Sequence, residues 1–232
     1  MLSEHVLERR RWKNKLYDKL LTSSILRVLP DYIYKGKLTI DVGGNSGYQT
    51  YFHAKYNDVV TYEPVPELYK VLQHNLKGLN NVTLINKAVT DSNKDVTLHV
   101  DINRLSMTSQ MPLVESEAIT VPGVALDNEG HHNVGFIKVD VEGYELDVLS
   151  GCTGLIDTYR PTMMVEVYQP WCDKVGFDSE QIFDLFDQRD YQILYYDCQN
   201  IKMVECSVTQ AVDAVHNLHH LHDGDFLFVA NQ

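Results

Sequence analysis

The chain has 232 residues, 44% hydrophobic and 22% charged, with a net charge of −12; that is ample material for one core, and too acidic to point to DNA as a partner. Seven prolines and 13 glycines exclude a disordered or collagen-like chain, and four scattered cysteines (Cys152, Cys172, Cys198, Cys206) with no CxxC pair exclude zinc fingers and disulfide scaffolds. No apolar run approaches the roughly 20 residues of a membrane helix, and the basic amino terminus lacks the apolar stretch of a secretory signal. A soluble, cytoplasmic protein with free thiols and no transmembrane segment is the expectation.

Charge is unevenly spread. Residues 1–37 carry nine Lys/Arg against four Asp/Glu, whereas the remainder carries 11 against 28. From Ser3 to Leu29 the spacing of Trp12, Leu16 and Leu20, with Val6, Leu21 and Ile25 nearby, predicts an amphipathic helix. Arg9, Arg10, Arg11, Lys13 and Lys15 decorate its other face, and Pro30 marks a stop. Such a helix packs across one end of the body, lies on a membrane surface, or docks an anion or partner. Residues 1–37 are therefore read as a helical extension and 38–232 as the main domain.

From Leu38 the period changes. Leu38–Val42 is β-prone and ends in Gly43-Gly44-Asn45-Ser46-Gly47, followed by a helix from Tyr48 to Lys55. Asp58–Tyr62 is a second strand ending at Glu63-Pro64, Glu67–Leu76 a helix, and Val82–Asn86 a third strand. This alternation describes a parallel α/β sheet built from βαβ units. Asp95–Val100 and Ala118–Val121 read as an inserted hairpin or sheet extension, with a polar loop between them. Val134–Val139 then resumes the main pattern, breaking at Asp140-Val141-Glu142-Gly143 before a helix from Tyr144 to Leu149. Thr162–Val167 is another strand, Ser179–Phe186 a helix, and Gln192–Tyr196, Lys202–Val204 and Phe226–Ala230 are closing strands.

Ligands of open α/β sheets bind outside the carboxyl ends of the strands. Gly43, Gly44 and Gly47 sit there and permit close approach of backbone to ligand. The turn matches neither the full G-x-G-x-x-G pattern nor the G-K-[ST] of a phosphate-binding loop. Asp41 would repel a pyrophosphate but attract a sulfonium, by roughly 4 kcal/mol at about 4 Å and an effective dielectric of 20. Glu63, 20 residues after Gly43, stands where an acidic side chain takes ribose hydroxyls. A nucleoside with positive charge and no phosphate is S-adenosylmethionine. The bland alternative is that these glycines only pack, Asp41 caps a helix and Glu63 is a solvated strand end.

Four blocks, between about Leu38 and Ala230, resemble the FkbM-like family of S-adenosylmethionine-dependent methyltransferases, class I and Rossmann-like. Ile40-Asp41-Val42-Gly43-Gly44-Asn45-Ser46-Gly47 is similar to its D-x-G-A-N-x-G loop, with Gly44 where alanine is usual. The others are Tyr62-Glu63-Pro64, then Asn86-Lys87-Ala88-Val89 with Asp91, and Ile137-Lys138-Val139-Asp140-Val141-Glu142-Gly143-Tyr144-Glu145 with Leu126-Asp127 and Glu166. The resemblance implies a seven-stranded, mostly parallel sheet in the order 3-2-1-4-5-7-6 with an antiparallel last strand. It also implies that Gly43, Asn45 and Gly47 line the methionine portion, that Glu63 holds the ribose, and that Asp91 lies near the adenine.

Asp140 and Glu142 end the strand that lies across the switch point from the first, and Glu166 ends the next. A carboxylate there orients or deprotonates a hydroxyl during an in-line methyl transfer, and paired carboxylates raise one pKa. Asp140, Glu142 and Glu166 are thus the catalytic candidates. For Glu142 the rival role is to take free amides at a helix start; Glu145 and Asp147 are read as solvent-facing. Tyr168-Gln169-Pro170-Trp171 is the candidate for a substrate-facing wall. The histidines at 216, 219, 220 and 222 are either loop residues or, through their i, i+3, i+4 spacing, metal ligands, and Asp127, Asp140 and Glu142 offer oxygen ligands for magnesium; no metal residues are assigned.

No D/N-P-P-Y/F motif follows the fourth strand and no cysteine suits C5-pyrimidine methylation, which favours oxygen as acceptor. The expectation is O-methylation of a sugar, glycan or small metabolite. The competing functions are methylation of RNA or protein through the basic arm, and a non-catalytic adenosylmethionine-binding protein. A homodimer through the amino-terminal helix is a further open reading.

Overall fold

A computed structural model describes residues 25–101, 108–109, 116–197, 199–217 and 224–231. The expected amphipathic helix lies outside the described residues except for its last turn. There, Ile25–Arg27 and Leu29–Tyr32 are short 3-10 turns, the second carrying Pro30 in its first turn.

Twelve strands and seven α-helices follow among the described residues. They are β1 (Leu38–Val42), α1 (Tyr48–His53), β2 (Val59–Tyr62), α2 (Pro66–Asn75), β3 (Val82–Ile85), β4 (Ala88–Val89), β5 (Lys94–Asp101), β6 (Thr108–Ser109) and β7 (Ser116–Val124), then β8 (Val134–Val139), α3 (Glu145–Ser150), α4 (Thr153–Tyr159), β9 (Thr162–Glu166), α5 (Gln169–Val175), α6 (Glu180–Asp187), β10 (Tyr191–Asp197), β11 (Lys202–Cys206), α7 (Val208–His216) and β12 (Asp225–Ala230).

The main sheet runs β11-β10-β12-β9-β8-β1-β2-β3. Strands β3, β2, β1, β8 and β9 are mutually parallel, while β12 is antiparallel to both β9 and β10. The seven-stranded expectation is corrected to eight. Tyr195, Tyr196 and Asp197 stay in register with Val204, Met203 and Lys202, so β11 extends the edge as an antiparallel hairpin partner of β10. The sheet is therefore mixed. The inserted segment forms a second sheet, β4-β7-β5-β6.

Burial on both faces explains the sequence of the central strands. All six residues of β8 are buried, including Lys138. On one face, Val148, Leu149, Ile156, Ile182, Phe183, Phe186, Ala211 and Val215 from α3, α4, α6 and α7 pack over the sheet. Phe186 stacks on Phe228 with ring centres 4.0 Å apart. On the other face, Phe136, Met164, Leu194 and Leu227 meet Ile25, Leu26, Leu29 and Ile33 from the segment before β1 and Phe52 from α1. Among the described residues, no helix is long and apolar enough to cross a membrane.

Candidate active site

The carboxyl ends of β1, β2 and β8 bring three turns together around a cleft. The first turn follows β1. Gly43 has φ +85°, and a Cβ there would lie 1.9 Å from the carbonyl oxygen of Asp140. Only glycine lets the ends of β1 and β8 approach so closely. The amides of Gly43 and Gly44 both donate to the Tyr62 carbonyl at 3.0 Å, and the Asp140 amide donates to Val42 at 3.2 Å. At Gly44 a Cβ would stand 2.4 Å from the Thr61 methyl, so the methyl on β2 takes the space that the family's usual alanine needs.

The second turn is organised by Glu63, which is 4% exposed. Its Oε2 accepts the Asn45 amide at 2.7 Å and its Oε1 the Val65 amide at 2.9 Å. Burial pushes its carboxyl up to about 7 against the pull of those two amides. A carboxylate offers about four acceptor positions, so capacity remains on the cleft side. Asn86, after β3, braces this turn by donating to the carbonyls of Glu63 (2.7 Å) and Pro64 (3.0 Å).

The third turn, Asp140–Gly143, leaves β8 with Glu142 at φ +56° and Gly143 at φ +106°. Asp140, Val141, Glu142 and Tyr144 line the cleft. Glu145 collects free amides of this turn. Its carboxylate accepts from Val141 at 3.2 Å and from Gly143 at 3.1 Å. Glu145 is 3% exposed, which corrects the expectation that it faces solvent, and burial pushes it up to about 7.

Glu166, at the end of β9, stands beside Asp140; that neighbouring charge, burial and Asp225 raise its pKa well above the carboxylate range. A neighbouring negative charge and burial both favour the protonated form of Glu166. Asp225 opposes Glu166 in the β12–β9 register. The interacting carboxyls seen here are Asp140 and Glu166.

The structure separates some expected site residues from the cleft. Asp41 is fully buried beneath the turn, where Oδ2 accepts Thr50 Oγ1 at 2.6 Å and Oδ1 faces Lys138 Nζ at 3.4 Å. Its charge is answered inside the protein, contrary to a direct role toward a sulfonium. Gly47 is absent from the wall; its φ of +87° lets it pack on Leu72 and Leu76. Asp91 is exposed, with Oδ1 bound by Lys94 Nζ at 2.6 Å, which holds its carboxyl below the usual range. Asp127 accepts the amides of Gly154 and Leu155 at 2.9 Å each, at the start of α4. Among the described residues no three His, Cys, Asp or Glu side chains gather to hold a metal. Of the histidine cluster, 219, 220 and 222 lie outside the described residues. Tyr168 is 43% exposed, and Trp171 packs against Gly143.

Lys138 was missed from the sequence. Its ammonium lies 3.2 Å from Asp140 Oδ2 and donates to the carbonyls of Gly43 (2.8 Å) and Val42 (3.3 Å). Burial opposes its charge, but Asp140 and Asp41 outweigh burial and hold its pKa above the ordinary lysine value. Burial also lifts Asp41, against Lys138 and Thr50. The opposing shifts leave the lysine as the firmly charged member. The available signal was a lone lysine in an otherwise apolar strand, aligned with the lone aspartate of β1.

The far end of the cleft is apolar: Pro64, Leu68, Ala88, Val89 and Leu98 line it, with Leu98 reaching in from the second sheet. Tyr62 and Lys87 close its floor, the Tyr62 hydroxyl meeting His131 Nε2 at 2.7 Å and Lys87 pairing with Glu129 at 3.1 Å.

No curated protein matches the sequence. Among solved structures, the chain is similar to the methyltransferase FkbM of Methylobacillus flagellatus KT, with 14% identity and a TM-score of 0.52, over 97% of this chain and 57% of that one. It is also similar to an rRNA methylase from Streptococcus thermophilus, with 14% identity and a TM-score of 0.51, over 89% of this chain and 93% of that one. The chain thus spans little more than half the length of the first, and both likenesses speak to the fold alone. A family model described as the methyltransferase FkbM domain matches residues 41–193, from the buried aspartate of β1 to the middle of β10. The chain belongs to the methyltransferase FkbM domain family.

Proposed function

We propose that this methyltransferase transfers the methyl group of S-adenosylmethionine to a hydroxyl oxygen of a sugar, glycan or small metabolite. The observation that carries the reading is the polarity of the cleft, with Glu63, Asp140 and Glu142 on its wall and an apolar box at its far end. The donor set fits the cofactor: an acidic end suits a sulfonium and hydroxyls, and Leu68, Val89 and Leu98 suit a flat base. When bound, S-adenosylmethionine supplies an electrophilic methyl group on a positively charged sulfur.

In this reading Glu63 accepts ribose hydroxyls through its two remaining acceptor positions. Gly43 and Asn45 border the methionine portion with backbone, while Gly47 and Asp41 shape the turn from behind. Asp91 orders the turn after β4, behind the base. Asp140, beside Lys138, accepts the hydrogen bond of the incoming hydroxyl and takes its proton as the new bond forms. Glu166, kept protonated by burial and by that neighbouring charge, fixes the orientation of Asp140. Glu142, on the opposite side of the turn, contacts the acceptor, and Tyr168 and Trp171 form the outer wall.

The test is transfer of label from methyl-tritiated S-adenosylmethionine to panels of hydroxylated small molecules, amines and RNA. Alkali-stable methyl ethers from the hydroxyl panel, abolished in Asp140→Asn even at saturating cofactor, support the proposal. Label found only on nitrogen, or only in RNA, sinks it.

A further inference from the structure

We infer that Lys138 is a positioning residue that clamps the Asp140 carboxylate to the glycine turn, so that the turn and Asp140 act as one rigid unit. This rests on the cleft being the cofactor site as proposed above. The ammonium has three donors, and four oxygens surround it: Gly43 O at 2.8 Å, Asp140 Oδ2 at 3.2 Å, Val42 O at 3.3 Å and Asp41 Oδ1 at 3.4 Å. The two shortest contacts are to the cleft-lining residues Gly43 and Asp140. Asp41 stands farther off, and its Oδ1 makes no hydrogen bond.

Position on the strands makes the contacts possible. Lys138 lies opposite Asp41 in the β1–β8 register, and Asp140 follows two residues later on the same face of β8. A string of polar groups therefore runs from Thr50 on α1 through Asp41, Lys138, Asp140 and Glu166 to Asp225 on β12. A buried ion pair is a poor device for stability, because well-packed apolar residues of similar volume are often as good or better. Its value lies in geometry: an ammonium hydrogen-bonded to the Gly43 and Val42 carbonyls and paired with Asp140 ties the turn to the carboxylate that faces the cleft.

The rival role is charge compensation for Asp41 alone, and a double substitution separates the two. Lys138→Met, Asp41→Asn and the double variant are compared with the wild type by thermal melting and by calorimetric affinity for S-adenosylmethionine and S-adenosylhomocysteine at pH 7.5. The double variant removes one charge of each sign, so its net charge is unchanged. Under the clamp, Lys138→Met melts early, and the double variant regains most of the melting temperature. Its affinity for S-adenosylmethionine nonetheless stays at least tenfold weak, and its preference for the sulfonium over the neutral thioether falls at least fivefold. Recovery of both affinity and preference to within twofold of wild type in the double variant overturns the clamp and leaves compensation of Asp41. A folded wild type that binds neither ligand overturns the reading of the cleft itself, and the clamp with it.

Discussion

Glu63 and Asn45, 18 residues apart in the chain, meet through a 2.7 Å hydrogen bond from the Asn45 amide to the Glu63 carboxylate. The carboxylate that shapes the glycine turn is thus the one offered to the cofactor, and its protonation affects both. With its carboxyl near 7, Glu63 passes from about one tenth to about nine tenths ionised between pH 6 and pH 8. Ionised carboxylates make the stronger hydrogen bonds to hydroxyls. Affinity for S-adenosylmethionine is therefore expected to rise roughly ninefold over that range, and to be nearly flat in Glu63→Gln. Calorimetry at pH 6, 7 and 8 measures both curves, and a flat wild-type curve contradicts the assignment.

Gly43 and Gly36 both have positive φ, at +85° and +77°, but only Gly43 has a neighbour where its Cβ would go. Gly36→Ala is expected to cost about 1–2 kcal/mol, the strain of the left-handed backbone alone. Gly43→Ala must also push β8 away from β1, so the loss should exceed about 4 kcal/mol and cofactor binding should vanish. Urea denaturation of the two variants compares strain with collision. Equal losses would mean that the strand ends separate at little cost.

His53 on α1 is fully buried between Phe52 and Phe136, and neither ring nitrogen has a hydrogen-bond partner. Burial, and then Lys138, lower its pKa to about 3. Below pH 6.5 the unfolded chain takes a proton that the folded ring refuses, so the wild type loses stability as pH falls. At pH 5 this costs about 2 kcal/mol. His53→Phe should match or exceed wild-type stability at pH 7.5 and lead by about that margin at pH 5. Denaturation midpoints at the two pH values decide it, and parallel curves would mean that the imidazole is not kept neutral.

Glu145 satisfies the amides of Val141 and Gly143 inside the turn after β8. Glu145→Ala leaves both without this partner, and a loss of about 1–3 kcal/mol is expected at pH 5.5. The folded carboxyl is raised to about 7 from the ordinary 4.5, so its contribution is full below 4.5 and is lost as pH rises through 7. The gap between wild type and variant should accordingly narrow at pH 8. A gap that stays constant from pH 5.5 to pH 8 would mean that the carboxyl is ionised throughout.

The central strands were legible because their apolar runs end abruptly in polar or glycine turns. Leu38–Val42 and Val134–Val139 form at the bounds that the sequence suggests. Three helices were not anticipated. Thr153–Tyr159 has two threonines and a glycine, poor formers that depend on a distant residue, Asp127, to hold the first amides. Gln169–Val175 carries Pro170 in its first turn and ends at Gly176, a short helix whose sequence shows no amphipathic period. Val208–His216 did announce itself, through the capping box of Ser207 and Gln210. At the site, Glu63 and Asp140 were placed on the cleft by strand-end logic alone. Glu145 and Lys138 were not, because burial of a charged residue depends on which partners the fold supplies, here two amides and two aspartates.

The order of strands in the sheet has a consequence for how the chain is made. Strand β12 sits between β9 and β10, yet it is synthesised after both and after β11. Until residues 225–230 leave the ribosome, β9 and β10 each present an open edge, and Phe183 and Phe186 lack the rings of Phe226 and Phe228. Open edges and exposed aromatics are what holding chaperones recognise and what neighbouring nascent chains pair with. Completion of the sheet is thus a late event in the life of the polypeptide, whereas the parallel strands that carry the glycine turn and Asp140 are already in hand.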